Sequence, residues 1–374
     1  MKHNIIHSLI NKKTSNLHLP LIILIAITCL YGFLVLYSAA GANIHPWVYK
    51  QLMHIIICMP LVMIIAFLDI RTIYRMAWIL YIIILLMLIG VDILGYTAKG
   101  GTRWIEIAGM RIQPSEPMKL VIVIMLARYF HGISEKDVDR IQHLIIPLIA
   151  TLLPAAIIIK QPDLGTGGIL LIIASFVFFA AGVSIKKFLV VFAGLCTSMP
   201  ILWALLREYQ KKRILVFLNP ESDPLGSGYN IVQSKISIGS GGLFGKGIGS
   251  GTQSQLHFLP EHQTDFIFAS LSEDFGFLGG IILLILYSLI IYVSIGIAIN
   301  SKSIFGKLLA IGIISMFFSH IFINIGMVMG LVPVVGVPLP LISYGGTMMG
   351  SMLGGFALIM NVHLNQSVII EKKY

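Results

Sequence analysis

The sequence predicts an all-α, polytopic membrane protein with about ten transmembrane helices and one large extracytoplasmic loop. Three observations carry that prediction. The 374 residues are 57% hydrophobic and only 11% charged, against about 25% charged in ordinary soluble domains. Apolar runs such as Leu19 to Ala40 reach the ~20 residues that a helix needs to cross a bilayer core. Basic residues recur in alternate short connections, the pattern that orients membrane helices.

The expected spans are 19–40, 47–69, 73–95, 116–131, 143–160, 166–183, 188–206, 265–295, 304–332 and 347–363. The fourth is short. The fifth carries Pro147 and Pro154, which membrane helices tolerate where neighbours satisfy the freed carbonyls. The first apolar run is too long for a cleaved signal peptide, no small-residue cleavage site closes it, and further spans follow. No internal repeat is evident. Residues 1–374 read as one integral-membrane domain, and 207–264 as a large loop within it, long enough to suggest function.

Sidedness follows from lysine and arginine. With a cytoplasmic N-terminus (Lys2, Lys12, Lys13) and an even span count, the short basic segments RTIYR, SEKDVDR, VSIKK and NSKSIFGK and the terminal EKKY share the cytoplasmic face. Four long or irregular connections then fall outside: residues 96–116, the KQPDLG segment, residues 207–264 and PVVGVPLPLISYGG. Function is expected on that outer face.

Composition narrows the chemistry. Cys29, Cys58 and Cys196 each sit alone in an apolar run and read as packing residues, not as a disulfide or metal set. The formal net charge is +10, with no basic tail or basic–aromatic alternation. Nucleic acid is therefore not the expected partner, whereas membrane lipids or a phosphorylated substrate fit.

The outer segments each admit a plain and a functional reading. Lys99, Arg103, Arg111 and Lys119 are either a solvated loop with a snorkelling lysine or a cradle for phosphate oxygens. Gln113 to Glu116 read as a turn into a helix, with Ser115 as cap and Glu116 in the first turn. Asp163 reads first as an N-cap. The glycine-rich 239–251 segment lacks GxxxxGK[ST] spacing and a preceding strand, so it reads as flexible turn structure. PLPLISYGG is stiff, irregular backbone of the kind tolerated at membrane depth only where it is buried or lines a wet cavity. His257, Glu261 and His262 do not match HExxH spacing, and no metal ligand is assigned to them.

Asp265 is the sharpest case. It stands where a polar loop becomes a long apolar run, and the body of that run holds only two other acids, Glu273 and Asp274. By local chemistry it is a helix cap before Phe266. A cap does not explain why four irregular loops share its face.

At this point the residues resemble a family. QLHFLPEHQTDFIFASLSEDFG, RWIEIAGMRIQPSEPMKL, KQPDLGTGGIL and VGVPLPLISYGGT are similar to signature segments of the SEDS proteins (shape, elongation, division, sporulation), in the expected order and over nearly the whole chain. GTQSQLHFLPE is most similar to the elongation branch. SEDFG stands where the family more usually has AEELG, with Glu273 retained. The resemblance implies a peptidoglycan glycosyltransferase of the bacterial plasma membrane that polymerises lipid II, with undecaprenyl diphosphate as leaving group. It implies partners as well: a class B penicillin-binding protein and other membrane proteins of the elongation complex. The family's catalytic aspartate maps onto Asp265, and its arginine and lysine around QPSE map onto Arg111 and Lys119. The expected substrate-binding set is Arg103, Arg111, Gln113, Ser115, Glu116, Lys119, Glu261, Ser343, Tyr344 and Gly345. No cofactor is assigned; a divalent cation, magnesium or manganese, at the diphosphate stays open.

The inventory suits that chemistry. Glycosidases use two carboxylates because an alkoxide leaves badly without an acid. A diphosphate leaves as a stable anion, so one base suffices where cations meet the departing charge. The rival readings are a flippase for lipid-linked precursors, which would show ionisable features at mid-membrane in corresponding halves, and a non-catalytic scaffold.

Overall fold

The computed structural model describes residues 17–98, 101–107, 110–223, 226–256 and 258–371. Lys2, Lys12, Lys13, Lys99, His257 and residues 372–374 lie outside them. The described chain begins with three long helices, α1 (Leu19–Ala39), α2 (Trp47–Phe67) and α3 (Ile70–Leu94). Three short strands follow: β1 (Tyr96–Ala98), β2 (Gly101–Ile107) and β3 (Met110–Ile112). Next come α4 (Ser115–His131), α5 (Ile141–Lys160), α6 (Leu164–Ala181), α7 (Ile185–Thr197) and α8 (Met199–Leu205). The large loop holds α9 (Glu208–Leu218), a 3-10 turn at Pro220–Ser222, α10 (Ser227–Ser240) and α11 (Thr252–Gln255). The chain closes on α12 (Ile267–Asn300), α13 (Ile304–Val328) and α14 (Gly346–Leu364).

Eight described helices are long and apolar enough to cross a membrane: α1, α2, α3, α5, α6, α12, α13 and α14. The other two expected spans are present in altered form. α4 has 17 residues and most of them are buried, so it is a central strut rather than a lipid-facing span. The expected 188–206 span is broken into α7 and α8, and α7 buries none of its residues. α13 and α14 form the middle of the bundle, where Phe317 meets Phe356 and Tyr287 edge to face, both at 5.2 Å between ring centroids. Aromatic pairs favour that offset geometry over face-to-face stacking.

Two features depart from the sequence reading. The three strands form an antiparallel sheet in the order β1-β2-β3, with Glu106 opposite Arg111 in the β2–β3 register. The β-branched and aromatic residues of TRWIEI suit a strand, but the run is too short to stand out in a chain dominated by helices.

The second departure is the glycine-rich segment, which is docked rather than loose. α12 breaks at Gly276, whose φ of 67° and ψ of −165° are not helical. The glycine-rich backbone fills the break: Lys246 N donates to Glu273 O at 2.9 Å and Gly247 N to Asp274 O at 3.0 Å. In return Phe277 N donates to Gly242 O at 2.9 Å and Leu278 N to Leu243 O at 3.1 Å. Buried backbone groups must find such partners. A side chain at Gly276 would press on Gly245 N and come within 2.7 Å of Leu243 O.

The acids of α12 are consumed in the same contact. Fully buried Glu273 accepts from Lys246 Nζ at 2.6 Å, Thr252 Oγ1 at 3.1 Å and Ser237 Oγ at 3.2 Å. Asp274 Oδ2 accepts from Ser38 Oγ of α1 at 2.6 Å. Glu273 and Asp274 thus serve the packing of the glycine-rich segment and α1 against α12.

Candidate functional site at Asp265

Asp265 does not occupy the cap position of α12. The helix starts at Ile267, and its N-cap position is Phe266, which makes no side-chain capping bond. Asp265 lies in the preceding turn and is half-buried. Glu261 shapes that turn from a left-handed backbone conformation, φ 58°. Its carbonyl accepts from Thr264 N at 3.0 Å and Phe266 N at 3.3 Å, and its carboxylate from Thr264 Oγ1 at 2.9 Å.

The segment after α13 grips this turn from the other side. Ser343 Oγ donates to Thr264 O at 2.6 Å and accepts from Leu339 N at 2.7 Å. Tyr344 N donates to Gln263 O at 2.9 Å. Gln51 of α2 locks the segment in turn: its Nε2 donates to Ser343 O at 3.1 Å, and its Oε1 accepts from Gly345 N at 3.2 Å. The Tyr344 ring rests on Trp47 and His54, with centroids 5.0 and 5.8 Å away. Burial pushes its phenol pKa up, so Tyr344 remains a neutral hydrogen-bonding group at working pH.

Gly336 gives the carboxylate room. A Cβ there would sit 3.3 Å from Asp265 Oδ2, and its φ of +71° disfavours any other residue. Asn324, fully buried on α13, ties the two segments together: Nδ2 donates to Asp265 O at 2.8 Å and to Val337 O at 2.6 Å.

The basic outer residues divide. Arg103 donates through Nε to Gln161 O at 3.3 Å and through Nη2 to Pro162 O, and stands 3.9 Å from Asp163 Oδ2. Gln113 Nε2 reaches the same oxygen at 3.2 Å. Asp163 caps α6 through Thr166 N at 3.1 Å, as its first reading holds. Arg103 and Gln113 therefore clamp the β-sheet to the loop before α6. Arg111 is different. Its guanidinium lies 3.7 Å from Glu106 on a half-exposed surface, and its carbonyl accepts from Thr347 Oγ1 at 3.2 Å. That places β3 beside the Tyr344–Gly345 segment.

Ser115, Glu116 and Lys119 lie inside the bundle. The N-cap of α4 is Pro114, and Ser115 is the first helical residue, so Ser115 is not the cap. Lys119, 1% exposed, has its ammonium 2.8 Å from Glu116 Oε1 and 2.7 Å from His320 Nε2. An ammonium only donates, so Nε2 accepts and His320 carries its proton on Nδ1, 2.9 Å from Met316 O. His320 and Asn324 are one turn apart on the same face of α13. The buried network thus ends next to the residue that holds Asp265.

Two of these residues escaped the sequence reading. Asn324 and His320 are lone polar residues in an apolar run, a signal that marks function or pairing inside a membrane helix. Of the metal reading, His257 lies outside the described residues; His262 is buried with Nδ1 3.1 Å from Leu259 O.

The fold and site define a class: a polytopic helical membrane protein with a half-buried aspartate held in the turn before one of its long helices. The chain belongs to the family described as Cell cycle protein (FTSW_RODA_SPOVE), whose model matches residues 18–368. It is 41% identical over 366 residues to the peptidoglycan glycosyltransferase MrdB of Escherichia coli K12, covering 96% of this chain and 98% of that protein. It is 30% identical to the peptidoglycan glycosyltransferase RodA of Treponema pallidum, covering 93% and 98%. Among solved structures it resembles a chain of a peptidoglycan synthase complex that coordinates polymerization and crosslinking, with a TM-score of 0.83 and 29% identity over 94% of this chain and 98% of that one. It also resembles the rod shape determining protein RodA of Thermus thermophilus, with a TM-score of 0.71 and 26% identity over 94% and 97%.

Proposed function

We propose that the protein is a peptidoglycan glycosyltransferase that polymerises lipid II during cell elongation, with Asp265 as general base. The glucosamine 4-hydroxyl of one lipid II attacks the anomeric carbon of another. The new bond joins O4 to C1, the bond from C1 to the diphosphate breaks, and the hydroxyl proton passes to the Asp265 carboxylate. The observation that carries this reading is the placement of Asp265: half-buried, outside the cap position and fixed by Asn324 and Ser343 through the backbone around it. A base fixed in that way acts without first being ordered.

Arg111, half-exposed on the sheet beside the same segment, meets the departing undecaprenyl diphosphate. Lys119 is engaged by Glu116 and His320 and acts from inside, by holding α4 to α13. Magnesium or manganese takes one or two carboxylates together with substrate phosphates. Among the described residues no group of three or more ligating side chains gathers, so such an ion would be held mainly by the substrate diphosphate and water, where it would neutralise charge on the leaving group.

Both termini lie in the cytoplasm and Asp265 at the extracytoplasmic surface of the bacterial plasma membrane, where lipid-anchored substrate arrives. A class B penicillin-binding protein supplies crosslinking and activates the polymerase. The test is direct: purified protein and its penicillin-binding partner, given labelled lipid II, produce glycan polymer. Absence of polymer under conditions where the pair remains assembled and folded contradicts the proposal.

A further inference from the structure

The face opposite Asp265 holds a second polar site. α4 starts beside the Asp265 region and ends at His131, and α14 runs the same way from Gly346 to Leu364. At that far end Arg71 and Arg75 of α3, Arg128 of α4 and the returning residues Ile369 and Glu371 line a cavity of about 470 Å³, with Tyr74 in its wall.

The cavity is built to hold positive charge. Arg128 is fixed in place: its Nη1 donates to Arg75 O at 2.9 Å, and its guanidinium lies 5.2 Å from the Tyr74 ring centroid. Tyr74 is itself braced edge to face by Phe305 and His131, at 5.3 and 5.5 Å. Arg71 and Arg75 are four residues apart and share a helix face, an arrangement that is unfavourable for like charges unless an anion joins them. Among the described residues none of the three guanidiniums has a carboxylate within ion-pair distance, although Glu371 lines the same cavity. Three guanidiniums against one carboxylate leave net positive charge in a pocket open to the surface.

The surroundings select the anion. Eleven residues beyond Arg71 and Arg75, and so on the same face of α3, stand Ile82 and Leu86, which are exposed. Ile369, 67% exposed, forms an apolar lip on the cavity. A soluble phosphate has no use for an apolar track that runs from the pocket into the bilayer. We propose that the cavity binds one anionic phospholipid, its phosphodiester on Arg71, Arg75 and Arg128 and an acyl chain along Ile82 and Leu86. Guanidinium forks match phosphate oxygens, and basic pockets between membrane helices recognise such head groups. The site is remote from Asp265 and stands whether or not the polymerase reading does.

Native mass spectrometry of the purified protein, titrated with phosphatidylglycerol or phosphatidylcholine, tests this. The wild-type protein should retain one phosphatidylglycerol in preference to phosphatidylcholine. The double variant Arg71→Gln/Arg75→Gln should hold it about 30-fold more weakly, the loss of two surface lipid contacts. Ile369→Glu, a change outside every helix that sets a second carboxylate at the lip, should weaken it as well and keeps the test intact if the double variant folds poorly. Lys136→Gln/Lys186→Gln, which removes two exposed charges elsewhere on that face, should leave retention unchanged. Equal retention by wild type, the arginine double variant and Ile369→Glu would overturn the site, and an equal loss in the lysine control would reduce it to general charge. Displacement of the lipid by millimolar inorganic phosphate that itself stays bound would overturn the assignment to lipid.

Discussion

Replacing Asn324 with leucine removes the tie between Asp265 and the segment after α13 while nearly keeping its volume. Two hydrogen bonds are lost, at 2.8 Å to Asp265 O and 2.6 Å to Val337 O. At about 1–2 kcal/mol each for buried bonds, the gross loss is about 2–4 kcal/mol. Leucine also removes Oδ1, an acceptor with no hydrogen-bond partner among the described residues, which returns about 1 kcal/mol. The net cost of ~1–3 kcal/mol should leave the bundle folded. Its effect on Asp265 is larger in proportion, because a shift of about 1 Å in a reacting group costs up to ~100-fold in rate. The assay is the initial rate of glycan synthesis over a range of lipid II concentrations. kcat should fall by about 10- to 100-fold, with KM little changed and partner binding intact. Wild-type kcat in Asn324→Leu, or a rise in KM alone, would refute the claim that this clamp positions the base.

Three further outcomes follow from the packing. Lys119→Met strands the buried Glu116 carboxylate and should destabilise the protein by about 3–5 kcal/mol; Lys119→Met/Glu116→Gln should recover most of that in thermal melts, and equal melting of the single variant and wild type would dissolve the network. Gly276→Ala forces a side chain against Leu243 and Gly245 and should lower stability by ~1–3 kcal/mol, with proteolysis rising in the 239–251 segment; unchanged protection would mean that the segment is not held by the break. In a cysteine-free background, cysteine at Ser222 should react with a membrane-impermeant thiol reagent in spheroplasts and cysteine at Lys136 should not, with the opposite pattern reversing the sidedness.

Much of the fold was legible because membrane helices announce themselves by length and hydropathy. What escaped was local and tertiary. α7 and α8 read as one span because composition does not register a break such as the one near Ser198. The strands at 96–112 were hidden by brevity. The break at Gly276 depends on a distant loop supplying four backbone hydrogen bonds, and no window around "SEDFGFLGG" contains that loop. In the site, Asp265 was visible as a costly carboxylate at a membrane lip. Asp265 misses the cap position because the helix starts at Ile267, one residue later than the apolar run from Phe266 suggests. Arg103 looked like a substrate ligand by charge and Gln113 by the family resemblance, yet both reach Asp163. Lys119 looked snorkelled or substrate-facing, since a sequence cannot show that His320, 201 residues away, completes a buried pair.

The central claim, that Asp265 removes the hydroxyl proton, is tested most directly by Asp265→Asn. The substitution keeps the shape of the side chain, and since Phe266 holds the cap position it leaves the start of α12 unaltered. An amide cannot accept the proton, so polymer formation from labelled lipid II in the presence of the penicillin-binding partner should fall by about 10²–10⁴-fold. Lipid II binding, partner binding and melting temperature should stay at wild-type values, and Asp265→Ala should behave alike. Glycan synthesis at the wild-type rate by Asp265→Asn would contradict the account.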